Sequence, residues 1–257
     1  MTTEPVLRQV DERRASWRGP ARVEAEEWLD QGRGRPADVA ANLAEMVRAN
    51  RWLGGLRALT RHLYPRLAAA PGPLTVLDLG AGSAEVPLAL TAWARAHGRP
   101  VRVLALDWSA RNLAVARAHT AGDPAVSLLR ADAARLPLAP ASVDFVISTL
   151  FLHHLTPSQL VALLRLAHAT ARRGVIMSDL ARGWLPLAAF KLVQPVFARH
   201  PFTRHDGALS IRRAYTQPEL RALAAAAGLP GAAVHAHWPW RLTLVADLPA
   251  GKHGPAR

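Results

Sequence analysis

Thr75-Val76-Leu77-Asp78-Leu79-Gly80-Ala81-Gly82-Ser83-Ala84-Glu85-Val86-Pro87 (TVLDLGAGSAEVP) is the stretch on which the reading of this chain turns. Leu74, Val76, Leu77 and Leu79 make a short, almost continuous apolar run, with Asp78 inside it and Gly80-Ala81-Gly82 directly after. A run of this kind bounded by glycines fits a buried parallel strand. The glycines let the backbone turn tightly and approach a bound molecule. The N–H groups that open the next helix then point at that molecule. The stretch reads as a nucleotide-type cofactor site.

Working outward, strands and helices alternate. Glu85 to His97 is expected to be a helix, closed by Gly98-Arg99-Pro100. Val101–Leu106 is a second buried strand ending in Asp107, and Ser109 caps a helix to about His119. Val126–Leu129 is a third strand, ending before Asp132. Val143–Ser148 is a fourth, followed by Thr149-Leu150-Phe151-Leu152-His153-His154. Thr156 and Pro157 open a helix that ends before Gly174, and Val175–Ser178 is a fifth strand ending in Asp179. This alternation predicts an α/β fold with a doubly wound, mostly parallel sheet. Ligands of such sheets bind outside the carboxyl ends of the strands. Asp107, Asp132, Ser148, the histidine pair and Asp179 all fall there.

The flanks differ in pattern. Residues 1–36 are charged and punctuated by Pro and Gly, with one expected short helix at Ala21–Leu29, and read as a mobile or strap-like arm. Residues 37–70 show helical spacing (Val39, Leu43, Met46, Val47; then Leu53, Leu56, Leu59, Leu63) and read as an N-terminal helical cap. Residues 71–248 form the main domain, with an insertion over 182–216 that reads as a lid. Within the insertion, Trp184–Ala198 is nearly all apolar, and Thr203–Gly207 reads as a polar loop. Thr216 and Glu219 form a capping box for a helix from Pro218 to Ala227, and two strands, Ala232–Trp238 and Arg241–Val245, close the domain as a hairpin. The tail 249–257 is expected to be disordered.

Composition removes several classes of function. The chain has 257 residues, 50% hydrophobic, and no cysteine, which excludes disulfides and Cys-ligated metal. No apolar run reaches the ~18–20 residues of a membrane span, and the charged start lacks a signal-peptide core, so a cytoplasmic location is expected. The net charge of +13 invites a nucleic-acid partner. Only Lys191 and Lys252 are lysines, however, and the arginines are scattered without an aromatic-interleaved stripe. Nucleic acid is therefore not the expected partner. The charge is compatible with a peripheral contact to an anionic membrane surface or with an acidic substrate.

The cofactor follows by elimination, in part. A dinucleotide turn needs glycine at its sixth position, where this chain has Glu85, whose sign is wrong for a pyrophosphate. No Gly-Lys-Ser/Thr follows, so a P-loop is excluded. Asp78 favours a ligand that carries positive charge, and Asp107 suits a ribose diol.

VLDLGAG (76–82), ALDWS (105–109), RADAARLP (130–137) and VDFVISTLFLHHL (143–155) together resemble, in order and spacing, the motif series of class I S-adenosylmethionine-dependent methyltransferases. The chain is most similar in outline to the ubiquinone/menaquinone-type small-molecule branch, although it lacks a clear match to the quinone-specific region. The resemblance implies a Rossmann-like seven-stranded sheet with an antiparallel last strand, and S-adenosyl-L-methionine as cofactor. It implies that Asp78, Gly80, Ala81 and Gly82 hold the methionine part, that Asp107 takes the ribose hydroxyls and Trp108 packs on the adenine. Asp132 and Ala133 are implied at the adenine edge, and Ser148 and Leu150 beside the sulfonium. Ala84 stands where the family often has a third glycine.

Methyl transfer to a phenol or acidic carbon benefits from a base. His153 and His154 are the candidate catalytic groups, with Asp179 placed to orient one imidazole. No metal site is expected, because no carboxylate cluster is visible near the pair. Trp52, Phe151, Trp184, His205 and Asp206 are candidates for the acceptor pocket, and the apolar segments imply a small hydrophobic acceptor: phenolic, quinone-like or polyketide-like, methylated on oxygen rather than carbon. A nucleic-acid methyltransferase is the alternative, but the fourth strand runs into Ser148-Thr149-Leu150-Phe151 rather than an Asn/Asp-Pro-Pro-aromatic signature. A non-catalytic partner protein is the other, and the intact acidic and glycine positions argue against it.

Overall fold

The computed structural model describes residues 4–11 and 19–248. The tail 249–257, read above as disordered, lies outside the described residues. Seven strands form one sheet: β1 (Leu74–Leu79), β2 (Val101–Asp107), β3 (Val126–Arg130), β4 (Val143–Thr149), β5 (Ala171–Leu180), β6 (Ala233–His237) and β7 (Arg241–Asp247). Their order is β3-β2-β1-β4-β5-β7-β6, and β7 alone runs antiparallel to its neighbours. The chain reverses direction along the sheet between β1 and β4, which pair directly. That switch point, at the end of β1, is where the glycine turn sits.

The side-chain alternation of the strands sorts the core into two layers. Val76, Phe145, Ile147, Ile176 and Val245 face one side, with Leu59, Leu63, Leu67 and Leu90 packed on them. Leu77, Leu79, Val146, Val175, Met177 and Leu244 face the other, beneath Leu160, Leu164, Leu220 and Leu223. The first layer is supplied by α3 (Gly55–Ala69) and α4 (Glu85–Ala96), the second by α6 (Pro157–Thr170) and α9 (Gln217–Ala226). Each such leucine, fully buried, contributes about 2 kcal/mol of transfer free energy. Two helix starts carry the expected caps. Ser109 Oγ accepts from Asn112 N–H (3.3 Å) to open α5 (Ala110–Thr120), and Thr156 and Gln159 bond reciprocally (3.3 and 2.9 Å) to open α6.

Four local expectations need correction. No helix forms at Ala21–Leu29. The segment runs as an extended strap whose groups are taken by other elements: Arg22 donates to Arg213 O (2.8 Å) and Leu155 O (2.7 Å), and the Trp28 and Leu29 N–H groups donate to Asp206. A short helix, α1 (Glu4–Asp11), lies instead in the stretch read as a polar arm, with Val10 buried against the sheet's second layer. β5 begins at Ala171, earlier than expected, because Arg173 Nε reaches Asp144 Oδ1 on β4 (3.0 Å) and holds the chain in register there. Residues 203–207 are not a loop. They belong to α8 (Pro201–Arg213), opened by Pro201 in its first turn. Gly207 is internal to α8 because a Cβ there would lie 2.4 Å from the Phe190 ring of α7 (Trp184–Phe197), so glycine permits the close approach of the two helices.

Candidate active site

The glycine turn is stitched to the end of β2. Gly80 N–H and Ala81 N–H both donate to Leu106 O (2.9 Å each), and Gly82 N–H donates to Asp107 Oδ2 (2.9 Å). Gly80 and Gly82 have φ of 72° and 54°, and a Cβ on Gly80 would lie 2.8 Å from the Phe151 ring. Both the left-handed backbone and the packing therefore demand glycine at position 80. Ala84 also takes a left-handed conformation (φ 63°) as it leads into α4. Glu85, which argued against a pyrophosphate, stays beside Asp78 and the turn, with its carboxylate held by Arg51 (2.5 Å) and Asn50 (3.5 Å) on α2 (Pro36–Trp52).

Two buried carboxylates face each other across this turn. Asp107 also accepts from Ser109 N–H (2.8 Å) and Asn112 Nδ2 (3.4 Å). Burial raises its carboxyl above the usual range, and those donors only partly offset the shift. Burial and the charge of Asp107 push Asp78 well above the usual range. A cation bound between them relieves both.

A cavity of about 380 Å³ opens beside Asp107, and a smaller one of about 80 Å³ adjoins it at Asp78. They share Leu43, Met46, Gly80, Gly82 and Leu150 as walls, so together they form one cleft. Asp132, Ala133 and Trp108 lie along the larger part, Asp78 and Ala81 along the smaller. Trp108 is 62% exposed at the mouth. An elongated cleft with acidic groups at its centre and one end, and a backbone turn bare of Cβ atoms, fits a cofactor that joins an adenosine to a cationic sulfonium amino acid. A wider cleft of about 620 Å³, lined by Arg57, Arg61, Tyr64 and Trp238, has no acidic residue in its lining and does not touch the turn.

The strap forms one wall of the cavity through Glu27, Leu29 and Asp30. It meets the histidine pair, which sits on a 3₁₀ turn, Leu152–His154, after β4. His154 lines the cavity and its Nδ1 lies 2.7 Å from Asp30 Oδ2. His153 lies beside it, with ring centres 4.2 Å apart, but is 2% exposed and does not line the cavity. Its Nδ1 lies 2.7 Å from Asp179 Oδ1, its N–H donates to Asp179 Oδ2 (2.8 Å), and its Nε2 is 3.5 Å from Glu27 Oε1. Burial alone would lower the His153 pKa, but Asp179 and Glu27 outweigh it and raise it to about 9. Burial likewise works to raise Glu27, and His154, His153 and Ser210 outweigh it, bringing it down to about 2. Arg213 closes the cluster from α8, donating to His153 O (3.2 Å) and His154 O (2.9 Å).

Of the residues singled out in the sequence, Asp78, Gly80, Ala81, Gly82, Asp107, Trp108, Asp132, Ala133, Leu150, Phe151 and His154 line the cleft. His153 and Asp179 stand behind its wall. Ser148 does not reach it: fully buried on the Val146 face of β4, its hydroxyl donates to Leu79 O (2.8 Å). Trp52 and Trp184 are 75% and 47% exposed and line neither part of the cleft. His205 and Asp206 are likewise removed from the acceptor pocket: His205 stacks on Trp28 (4.1 Å between ring centres) and Asp206 anchors the strap. The expectation that no carboxylates surround the histidine pair is also overturned, since Glu27, Asp30 and Asp179 all do. Sequence reasoning missed Glu27, Leu29, Asp30, Leu43, Met46 and Asn112. The acid-rich Glu24-Ala25-Glu26-Glu27-Trp28-Leu29-Asp30 was the one available signal.

Among the described residues, no helix is long and apolar enough to cross a membrane. Residues 76–174 match the family described as methyltransferase domain. No curated protein matches the chain by sequence. Solved structures share the fold. An S-adenosylmethionine-dependent methyltransferase from Aquifex aeolicus is 16% identical, with a TM-score of 0.53 over 84% of this chain and 99% of that one. Human N-acetylserotonin methyltransferase, solved with S-adenosylmethionine, is 13% identical, with a TM-score of 0.62 over 95% of this chain and 65% of that one. The CMeT domain of citrinin polyketide synthase is 15% identical, with a TM-score of 0.56 over 72% of this chain and 49% of that one. With its motif series, its acidic cleft at the switch point and the family match over its central strands, the chain carries an S-adenosylmethionine-dependent methyltransferase domain at residues 76–174.

Proposed function

We propose that the enzyme methylates a hydroxyl oxygen of a small hydrophobic acceptor, phenolic, quinone-like or polyketide-like. In this reading Asp107 accepts from the ribose hydroxyls, Trp108 covers the adenine, and Asp132 with Ala133 borders its edge. Asp78 and the Gly80–Gly82 turn hold the amino-acid end, and Leu150 lies beside the sulfonium. Ser148 acts only from beneath, fixing Leu79 ahead of the turn. Leu29, Leu43, Met46, Phe151 and Leu155 give the rest of the cavity an apolar lining suited to such an acceptor. Two of the fold neighbours, named for N-acetylserotonin and for a polyketide synthase, act in small-molecule chemistry, which supports this class.

The observation that carries the proposal is the placement of His154. It is the imidazole that faces the cavity, with Asp30 2.7 Å from Nδ1 and Nε2 left for a proton. The cofactor supplies an already activated methyl group, so the protein's work is positioning and proton removal. The acceptor oxygen attacks the methyl carbon as the carbon–sulfur bond breaks, its proton passes to His154 Nε2, and S-adenosylhomocysteine is released. A phenol, with pKa about 10, is almost wholly protonated near neutral pH, so its attack gains from a base such as imidazole that takes the proton as the bond forms. His153 and Asp179 are positioning residues, since they fix the turn that carries His154.

His154→Gln tests this. Turnover with a phenolic acceptor, followed as S-adenosylhomocysteine release, should fall by about 10²–10⁴-fold, with affinity for S-adenosylmethionine unchanged by calorimetry. Parent-level turnover in the variant, or activity confined to amine acceptors across a mixed panel, would refute it.

A further inference from the structure

We propose that Glu27, His153 and His154 form a binding site for a divalent transition-metal ion in the strap-side wall of the cavity. The inference deepens the reading of that wall as the place where the acceptor hydroxyl is activated, and rests on it.

Each imidazole is held at Nδ1 by its own carboxylate, Asp179 for His153 and Asp30 for His154, both at 2.7 Å. An imidazole that donates from Nδ1 offers Nε2 to an ion that displaces any proton held there. Carboxylate partners of this kind are what orient metal-ligating histidines. Both Nε2 atoms then face one carboxylate: His153 Nε2 lies 3.5 Å from Glu27 Oε1, and His154 Nε2 3.9 Å from Glu27 Oε2. All three ligand atoms lie within 4.8 Å of one another. A tetrahedral ion ~2.0–2.2 Å from each ligand needs them ~3.3–3.5 Å apart. Closing a side of 4.8 Å to ~3.5 Å takes an inward shift of about 1.3 Å, shared between the side chains.

The surroundings fit an ion. Glu27 and His153 are 3% and 2% exposed, while Glu27 and His154 border the cavity, so a remaining coordination position opens on it. Two histidines and one glutamate with an open position is a donor set for zinc-type catalytic ions. Two nitrogen ligands select against magnesium and calcium, which take oxygen. Facing the cluster are the carboxylates of Asp30 and Asp179 and the guanidinium groups of Arg213 and Arg241. Arg213 does not fill the triangle. Its Nε and Nη2 are spent on the two histidine carbonyls, and Nη1 stays 3.9 Å from Glu27 Oε1 without a hydrogen bond. Ser210 donates to Glu27 Oε1 (2.6 Å) and leaves Oε2 for the ion. With the ion bound, the acceptor oxygen would sit on the open position and ionise there, its proton leaving through the cavity to solvent, and His154 would serve as ligand in place of the direct proton acceptor of the ion-free reading.

The test is calorimetric titration of the chelator-treated full chain with zinc, in the absence of cofactor and acceptor, with bound metal counted by elemental analysis. One equivalent should bind. Glu27→Gln and His154→Gln should each weaken it at least tenfold while S-adenosylmethionine still binds, which shows the fold intact. A second group of imidazoles, His62, His235 and His237, lies on α3 and β6. The double variant His62→Gln, His235→Gln should therefore keep the equivalent. Cobalt in place of zinc should give the visible absorption of a tetrahedral nitrogen–oxygen site in the parent and not in Glu27→Gln. No stoichiometric binding, or binding lost in the His62/His235 variant and unaltered in Glu27→Gln, overturns the site. In that event a large His154→Gln effect on turnover would still leave the hydroxyl reading in place, and zinc binding without any phenol methylation would separate the two in the opposite direction.

Discussion

Asp107→Asn is the perturbation whose consequence can be worked furthest from the structure. In the ligand-free protein Asp107 accepts from Gly82 N–H, Ser109 N–H and Asn112, and its charge pushes the buried Asp78 carboxyl upward. Asparagine is nearly isosteric and its carbonyl oxygen can keep one of the two backbone donors. Removing the charge relieves the repulsion between two buried carboxylates, so the ligand-free protein should lose little stability and its Tm should stay within about 5 °C of the parent. Cofactor binding should respond in the opposite sense. An ionised carboxylate accepting two ribose hydroxyls makes two charge-assisted bonds, each about 1.5–3 kcal/mol. Asparagine loses one outright and weakens the other, a deficit of about 2–4 kcal/mol, or roughly 30- to 700-fold in Kd. Calorimetry with S-adenosylmethionine and S-adenosylhomocysteine should show the same loss for both, because the ribose is common to them. A Kd within threefold of the parent, with an unchanged melt, would mean that Asp107 does not hold the ribose.

Other outcomes follow from the strap and from a remote histidine cluster. Asp206→Ala leaves the Trp28 and Leu29 N–H groups without their acceptor and frees the strap from α8; this should cost about 1–3 kcal/mol and lower Tm by about 5 °C. Limited trypsin digestion should then cut faster at Arg33, and an unchanged cleavage pattern would argue that the strap is held by Arg22, Ser210 and Arg213 without Asp206. His62 is depressed to about 4 by burial and by the nearby His235 and His237. Its folded pKa lies below the unfolded value of about 6.5, so its contribution to stability is complete above that pH and is lost as pH falls from 6.5 towards 4. The cluster is open to solvent, and with screening the loss by pH 5 is on the order of 1 kcal/mol. Urea midpoints at pH 7 and pH 5 should therefore differ more in the parent than in His62→Gln, and equal differences would remove the cluster from the pH response.

The fold was legible in the sequence because its signals are local. The apolar runs, the glycine turn and the caps at Ser109, Thr156 and Thr216 each specify a strand end or a helix start within a few residues. Four motifs in fixed order then place their polar residues at the carboxyl ends of adjacent parallel strands, which any doubly wound sheet gathers into one cleft. The sequence by itself therefore determined the sheet, the cofactor and most of the residues along the cleft. Which way a side chain faces was less accessible. Ser148 and His153 stand beside cleft residues in sequence, yet β4 parity turns Ser148 into the core, and the 3₁₀ turn leaves His153 buried beside His154, which alone of the two lines the cavity. Only the tertiary structure decided what the histidines meet. Glu27 and Asp30 come from a strap more than a hundred residues away in the chain, held by Asp206, Ser210 and Arg213 of a helix that the sequence made look like a loop. No local propensity encodes such a contact. It exists because buried carboxylates and imidazoles must find partners, and the folded chain brings those partners from its two distant ends.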